Sequence, residues 1–215
     1  MKLFKVKTAY RLAIGMGYPS LVENGLLFHH IWCAIHPWET LKGLARSVFL
    51  LAVYKAIKER GNYSLSDIEE AFMSKEGFKD LARIPILFEG GEIEKPYEFF
   101  KRVFGTKEKR GEIIFFDAFP EKFNPKKHLV VDIMNPHYSE YYTTEGKEPP
   151  ADWHEPTPIH FLAISGCVSF KVCLGYAPFG KPREDILEIV EKLLKAGLGN
   201  FGVGGKKRKG YGWFY

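Results

Sequence analysis

The sequence predicts an α+β domain of the ferredoxin-like (RRM-like) split βαβ class with a helical insertion. A strand-like segment opens the chain at 3–15, a long amphipathic helix follows at 40–61, and a second lies at 183–197. Strand-like segments between and after these helices complete the strand–helix–strand–strand–helix–strand order of this class. With 215 residues and 46% hydrophobic content, we expect one domain, 1–215, that buries a full core.

The first strand and the first helix are predicted from hydrophobic periodicity. Residues 3–15 alternate apolar and polar side chains, as a half-buried strand does. Residues 41–56 carry apolar side chains at helical spacing, with Thr40 as the predicted N-cap and Gly61 as the predicted C-cap. These two elements begin the predicted fold.

Residues 64–111 are predicted to be a helical insertion. A short helix is expected at 64–72, where Ser66 and Glu69 have the spacing of a capping box, and another is expected at 95–106. No internal repeat or low-complexity linker separates this segment from the rest of the chain. We therefore assign it to the same domain.

The second half of the chain supplies the remaining strands and the second helix. Strands are predicted at 111–120 and 128–134, and residues 159–176 form two strands or one bulged strand broken at Ser165–Gly166. The second helix has Pro182 near its start and Gly197 near its end, and residues 212–215 are suited to a last strand. Such a sheet has one open face, and many RNA-binding modules bind single-stranded RNA there or on adjoining loops.

Composition excludes several classes of protein. The net charge is +5, from 31 basic and 26 acidic residues, and three cysteines form neither a disulfide framework nor a zinc pattern. This favours a reducing compartment. The chain shows no secretory signal and no apolar run of about 18 residues. We expect a cytoplasmic protein with no membrane partner, no metal and no other cofactor.

One segment resembles a phosphate-binding loop. Residues 175–181 fit G-x-x-x-x-G-K between a predicted strand and a predicted helix. However, Pro182 stands where Ser or Thr would ligate magnesium, and Pro178 removes a backbone donor. The pattern favours a plain connection between strand and helix.

Three histidines offer an enzymatic alternative. His29, His30 and His36 lie close together in the sequence, and a histidine can act as general base or acid in RNA cleavage. The alternative function is therefore a metal-independent endoribonuclease. The carboxylates are scattered singly, so no acid/base pair is assigned, and we expect a protein without catalytic residues.

The C-terminal stretch NFGVGGKKRKGYGWFY, residues 200–215, combines glycines, consecutive cations and aromatic side chains. It lacks the G-x-G-x-x-G spacing of dinucleotide-binding loops, and no helix follows it. Cations bind phosphates and aromatic rings stack on unpaired bases, so we expect single-stranded nucleic acid as the ligand. The aromatic candidates are Tyr211, Trp213 and Phe214.

The segment GVGGKKRKGYG also resembles the glycine-rich loop of the RAMP superfamily, the RNA-binding proteins of CRISPR systems. LVENGLLFHH, TLKGLARS, DIMNPHYSEYY and WHEPTPIHFL, in this order, are similar to the branch that forms the sixth subunit of the type III-B Cmr effector. The resemblance implies a RAMP fold and a non-catalytic subunit in antiviral defence. It implies binding to the guide RNA backbone near the 3′ end, beside target RNA.

The resemblance also implies partners and site residues. Such a subunit caps the RAMP filament and contacts a backbone RAMP subunit and the small helical subunit. Thr40 to Gly43 match a Ser-Leu-Lys-Gly motif at a helix start, which places two cations near RNA. The predicted RNA-binding residues are Lys42, Arg46, Gly202, Gly204, Gly205, Lys206, Lys207, Arg208, Lys209, Gly210, Tyr211 and Gly212. A purely structural role through the aromatic loops is the third hypothesis.

Overall fold

The structure is a computed structural model of the chain. It describes residues 1–13, 28–29, 33–34, 38–59, 61–73, 84–88, 91–135, 145, 147, 149, 156 and 158–215. It is a mixed α+β protein with antiparallel sheets, as predicted. The helices are α1 (Trp38–Ile57), α2 (Leu65–Met73), α3 (Pro96–Val103), α4 (Pro125–His128) and α5 (Glu184–Asn200). The strands are β1 (Lys2–Lys7), β2 (Phe28–His29), β3 (Cys33–Ala34), β4 (Ile86–Phe88), β5 (Gly91–Ile93), β6 (Ile113–Phe115), β7 (Phe119–Pro120), β8 (Leu129–Met134), β9 (Ile159–Ile164) and β10 (Ser169–Tyr176).

The main sheet is built around β10. It pairs antiparallel with β1 on one side and with β6 and β7 on the other. The C-terminal residue returns to the free edge of β1, where Lys7 and Tyr215 exchange two backbone hydrogen bonds of 3.0 Å. Strand β1 ends earlier than the predicted strand at 3–15, because regular pairing with β10 ends at Lys7.

Helices α1 and α5 cover one face of the main sheet and pack on each other. Gly197 lies within α5, where an added Cβ would come 2.7 Å from Leu44 Cγ of α1. The glycine therefore permits close approach of two helices, and α5 continues past it to Asn200. Similarly, α1 ends at Ile57, so Gly61 lies beyond the helix and is not its C-cap.

The N-terminus of α1 is capped from a distant part of the chain. The helix begins at Trp38, whose backbone N–H donates to Asp117 Oδ1 at 2.9 Å. The prediction that Thr40 is the N-cap is therefore wrong, because Thr40 lies inside the first turn. The carboxylate accepts from one of the donors that a helix start leaves unpaired.

The capping box of α2 is shifted from its predicted position. The backbone N–H of Ser64 donates to Asp67 Oδ2 at 2.8 Å, and the N–H of Asp67 donates to Ser64 Oγ at 3.2 Å. Ser66 and Glu69 are not the pair, since α2 already begins at Leu65. The reciprocal geometry is the same, two residues earlier in the chain.

The described part of segment 64–111 shares the core of the main sheet. Phe72 of α2 and Phe100 of α3 lie 5.3 and 5.6 Å, ring to ring, from Phe49 of α1. Strands β4 and β5 pair with each other and place Ile86 and Ile93 in the same core. The single-domain assignment stays a prediction.

A second antiparallel ribbon, β8 and β9, stands beside the main sheet. Leu12 bridges to Ile164 of β9, so the segment after β1 connects the two. The predicted break at Ser165–Gly166 is confirmed, and β9 and β10 belong to different sheets. Among the described helices, none is long and apolar enough to cross a membrane.

Candidate nucleic-acid interface

The glycine-rich loop after α5 has a defined conformation. Lys207–Lys209 form one 3-10 turn, flanked by Lys206 and Gly210, which both have left-handed backbone with φ of 58° and 87°. The N–H of Lys209 donates to Lys206 O at 2.9 Å, and the N–H of Gly210 donates to Lys207 O at 3.0 Å. The side chains of residues 207–209 are exposed, and we call these three residues the cationic turn.

The loop glycines allow backbone to approach backbone. An added Cβ at Gly212 would lie 1.8 Å from Val203 O, and one at Gly204 would lie 2.5 Å from Ala13 O. These close approaches accompany hydrogen bonds of 2.8 Å from Val203 N–H to Gly212 O and of 2.7 Å from Gly205 N–H to Ala13 O. At these two positions, glycine allows the loop backbone to pack closely against Val203 and Ala13.

Tyr211 anchors the loop from inside. The side chain is buried, and its ring lies 5.6 Å from the ring of Tyr10 and 5.9 Å from that of Phe161. Burial, followed by the neighbouring Asp132 carboxylate, raises the pKa of its hydroxyl. Since Phe214 is also buried, neither ring is presented for base stacking in this conformation.

Asp132 of β8 links the loop to the ribbon. Its carboxylate accepts hydrogen bonds from the Tyr211 hydroxyl and from the Arg11 guanidinium. These two donors, the tyrosine foremost, lower the pKa of Asp132 to about 2. We call Arg11, Asp132 and Tyr211 the Asp132 cluster. It joins three separate segments of the chain in one charged contact.

Lys206 differs from the cationic turn. Its Nζ lies 4.2 Å from the centroid of the Phe161 ring and 3.7 Å from Met134 Sδ. The side chain is half-buried against the ribbon. Its charge is therefore partly used inside the protein, through a cation–π contact.

Arg46 and Lys42, the two predicted RNA-binding cations of α1, also make contacts or are partly buried within the protein. Arg46 forms an ion pair with Glu69 of α2, and its guanidinium carbon lies 5.6 Å from the centroid of the Phe100 ring. Lys42 is half-buried, and desolvation, with Arg46 nearby, lowers its pKa. Arg46 would have to leave Glu69 to bind a phosphate. The glycine loop makes its contacts elsewhere, with residues 10–13 and the ribbon.

Other predicted candidates have simple outcomes. Residues 175–181 run from the end of β10 into its connection to α5, and the Glu112 carboxylate accepts from Lys181 N–H at 3.3 Å. An acidic group thus stands against this loop, which disfavours a phosphate there.

The side chain of His29 and all of His30 and His36 lie outside the described residues. Within the described residues, no cluster of His, Cys, Asp and Glu could hold a metal ion.

The contacts of the Asp132 cluster join residues that are remote in sequence, and they were not predicted. Arg11 and Asp132 are separated by 121 positions, and Asp132 and Tyr211 by 79. Asp132 is one of the singly scattered carboxylates of the sequence, and no local pattern identifies its partners. Only the tertiary fold brings these groups together.

The Asp132 cluster predicts an acid-sensitive contribution to stability. Because folding lowers the pKa of Asp132, its contribution is present above about pH 4 and is lost as the pH falls to about 2. With the side chain 20% exposed, we expect this contribution to be about 1–2 kcal/mol. Urea unfolding of the wild type and Asp132→Asn at successive pH values measures it.

The stability difference between the two proteins should shrink across that pH interval. Tyr211→Phe keeps the carboxylate and its Arg11 partner, so it should retain part of the pH dependence. A difference between wild type and Asp132→Asn that is constant from neutral pH to pH 2 would contradict the assignment.

The chain resembles known proteins over nearly its whole length. A family model described as the RAMP superfamily matches residues 37–215. "CRISPR system Cmr subunit Cmr6" of Pyrococcus furiosus is 33% identical over 228 aligned positions, covering 97% of this chain and 66% of that protein. "CRISPR system CMR subunit Cmr6" of Saccharolobus solfataricus is 33% identical over 117 positions, 53% of this chain and 35% of that protein. This chain thus spans less than two thirds of the length of either relative.

Solved structures give the same result. The crystal structure of Cmr6 from Pyrococcus furiosus has a TM-score of 0.62 at 29% identity, covering 100% of this chain and 98% of that one. A chain of the type III-B Cmr-beta complex bound to cognate target RNA has a TM-score of 0.59 at 22% identity, covering 99% and 56%, and supports the fold alone. The resemblance noted in the sequence is confirmed, and the chain belongs to the RAMP superfamily.

Proposed function

We propose that this protein is a non-catalytic RNA-binding subunit of a type III-B CRISPR effector. In this role it binds the backbone of the guide RNA near its 3′ end and caps a filament of RAMP subunits. Its partners are then guide and target RNA, a backbone RAMP subunit and the small helical subunit. The similarity to Cmr6 supports the assembly, and the cationic turn supports the RNA contact.

The observation that carries the proposal is the cationic turn itself. Lys207, Arg208 and Lys209 project three charges from one short, hydrogen-bonded turn. The Asp132 cluster and the loop glycines fix the position of that turn against the ribbon and residues 10–13. Cations held in a fixed array suit the phosphates of RNA, and phosphate contacts carry no direct sequence information. We therefore expect binding that depends little on guide sequence.

We also propose that the domain is ferredoxin-like. Its support is the order of segments across the main sheet: the C-terminal residues, β1, β10, and then β6 with β7. This is the order of a split βαβ fold if β6 and β7 act as one strand and the C-terminus as the fourth. Helices α1 and α5 then take the two crossover positions.

The cationic turn should supply a salt-dependent part of RNA affinity. A variant with alanine at Lys207, Arg208 and Lys209 should bind single-stranded RNA more weakly. The dependence of log affinity on log salt should fall by up to about 0.7 for each phosphate that the turn no longer binds. Lys206→Ala should change the slope less, because Lys206 faces Phe161. Fluorescence anisotropy over a salt series measures both.

A charge-matched control replaces Lys58, Lys107 and Lys192, which are exposed on other parts of the surface. An equal loss of slope in this control would show a nonspecific charge effect and contradict the proposal.

RNA recovered intact from the same mixtures, prepared without metal, supports a non-catalytic protein. Cleavage that His29→Ala or His30→Ala abolishes would instead support the endoribonuclease alternative.

A further inference from the structure

The face of the main sheet opposite α1 and α5 carries an ordered set of side chains. Along β1, Phe4 and Val6 point into the core, so Leu3, Lys5 and Lys7 point outward. The register of β10 and its neighbours extends these positions into three rows across the strands. The rows are Leu3–Cys173–Phe116, Lys5–Lys171–Phe119 and Lys7–Ser169–Glu121. We call this set the outer face.

Aromatic rings line the outer face along one edge. Phe116 is 43% exposed and Phe119 is 39% exposed. The ring of Phe116 lies over Gly175 of β10, where an added Cβ would come 3.1 Å from Cε2. A side chain at position 175 would push the ring off the strand. The glycine therefore lets one side of the ring rest on the sheet, and the other side faces solvent.

Cations occupy the middle of the outer face. Lys5 Nζ lies 2.9 Å and Lys171 Nζ 3.3 Å from Glu121 Oε1. Together with Lys7, these rows carry three ammonium groups and one carboxylate, so the outer face is net positive. The rows are about 7 Å apart along the strands, which brings the lysine row beside the Phe116 row.

We propose that the outer face is a second binding surface, for single-stranded RNA, separate from the glycine loop. A base stacks on Phe116, and the adjoining phosphates contact Lys171 and Lys5. An aromatic platform on a sheet with nearby cations suits unpaired nucleotides of any sequence. A protein partner fits less well, because lysine is depleted in the cores of protein interfaces. This proposal does not depend on the role of the glycine loop.

The test starts from the variant that lacks the three charges of the cationic turn, so that the loop contribution is removed. In this background, Phe116→Ala should weaken binding of a short fluorescein-labelled oligouridylate by about 5- to 150-fold. The salt slope should stay unchanged, because no charge is removed. Phe116→Trp should retain the affinity. Tyr54→Ala removes an exposed ring from α1, on the opposite side of the sheet, and should have no effect.

The charges of the outer face give an independent readout. Lys171→Ala should lower the salt slope by up to about 0.7, and Glu121→Gln should strengthen binding by removing the carboxylate between two lysines. Retained thermal unfolding temperatures separate these effects from misfolding. The proposal is overturned if the loop variant has no residual RNA affinity at low salt. It is also overturned if Phe116→Ala binds RNA with the affinity of its parent variant. Normal RNA binding combined with loss of a protein partner would assign the outer face to that protein.

Discussion

Gly212→Ala is expected to lower the free energy of unfolding by about 3–4 kcal/mol. The residue has φ of 76°, a conformation that costs an L-residue about 1–2 kcal/mol. Its added methyl group would also stand 1.8 Å from Val203 O, which is far inside contact distance. The two backbone segments that meet at Val203 and Gly212, the limbs of the loop, must then separate. This breaks the hydrogen bond from Val203 N–H to Gly212 O. Urea unfolding monitored by circular dichroism measures the change.

Gly210→Ala is the matched control. Gly210 also has positive φ, 87°, but the nearest atom to an added Cβ is Tyr10 Cδ1 at 3.9 Å. This variant therefore tests the conformational cost alone, about 1–2 kcal/mol. The difference between the two variants measures the close approach of the loop limbs. Equal losses of stability would show that Val203 and Gly212 are not tightly paired in solution.

The same pair of variants connects the loop geometry to the proposed function. If the cationic turn binds phosphate as a fixed array, Gly212→Ala should weaken RNA binding although it removes no charge. Gly210→Ala should weaken it less, because the paired limbs are retained. Measured at temperatures where both variants stay folded, this ordering separates a positioned array from a simple accumulation of charge.

The sequence predicted the long elements well because their signals are local. Periodic apolar side chains identified α1 and α5, and the broken apolar run at Ser165–Gly166 identified two strands. Element ends were predicted less well, since tertiary contacts set them. Asp117 caps α1 from a different segment, and Gly197 serves helix packing inside α5.

The candidate site was predicted in composition but not in arrangement. Glycines, cations and aromatic residues were expected to face a ligand together. The structure separates them: the cationic turn is exposed, Tyr211 is buried, and Gly212 holds backbone against backbone. This division depends on Asp132 and Arg11, which are remote in sequence. Burial of a particular aromatic ring is a long-range property that composition and spacing do not specify.

A buried charged group connects α3 to the loop that precedes α5. The Glu112 residue is 6% exposed, and its Oε2 accepts from Arg102 Nε at 3.0 Å and from Nη2 at 2.9 Å. The same oxygen accepts from Lys181 N–H. Burial alone would raise the pKa of Glu112, but the hydrogen bonds, chiefly from Arg102, lower it. The carboxylate is therefore ionised in the folded protein and holds both elements.

Glu112→Ala is expected to lower the free energy of unfolding by about 3 kcal/mol, because it leaves the Arg102 charge, 17% exposed, without its carboxylate partner. The double variant Arg102→Met with Glu112→Met should recover most of this loss, since two apolar side chains require no compensation. Glu188→Ala removes an exposed partner of Lys2 and should cost under about 1 kcal/mol. Chemical denaturation of these variants decides whether charge pairing or side-chain packing stabilises this contact. A double variant as unstable as Glu112→Ala would show that the shape of the two side chains, rather than their paired charges, stabilises the contact between α3 and α5.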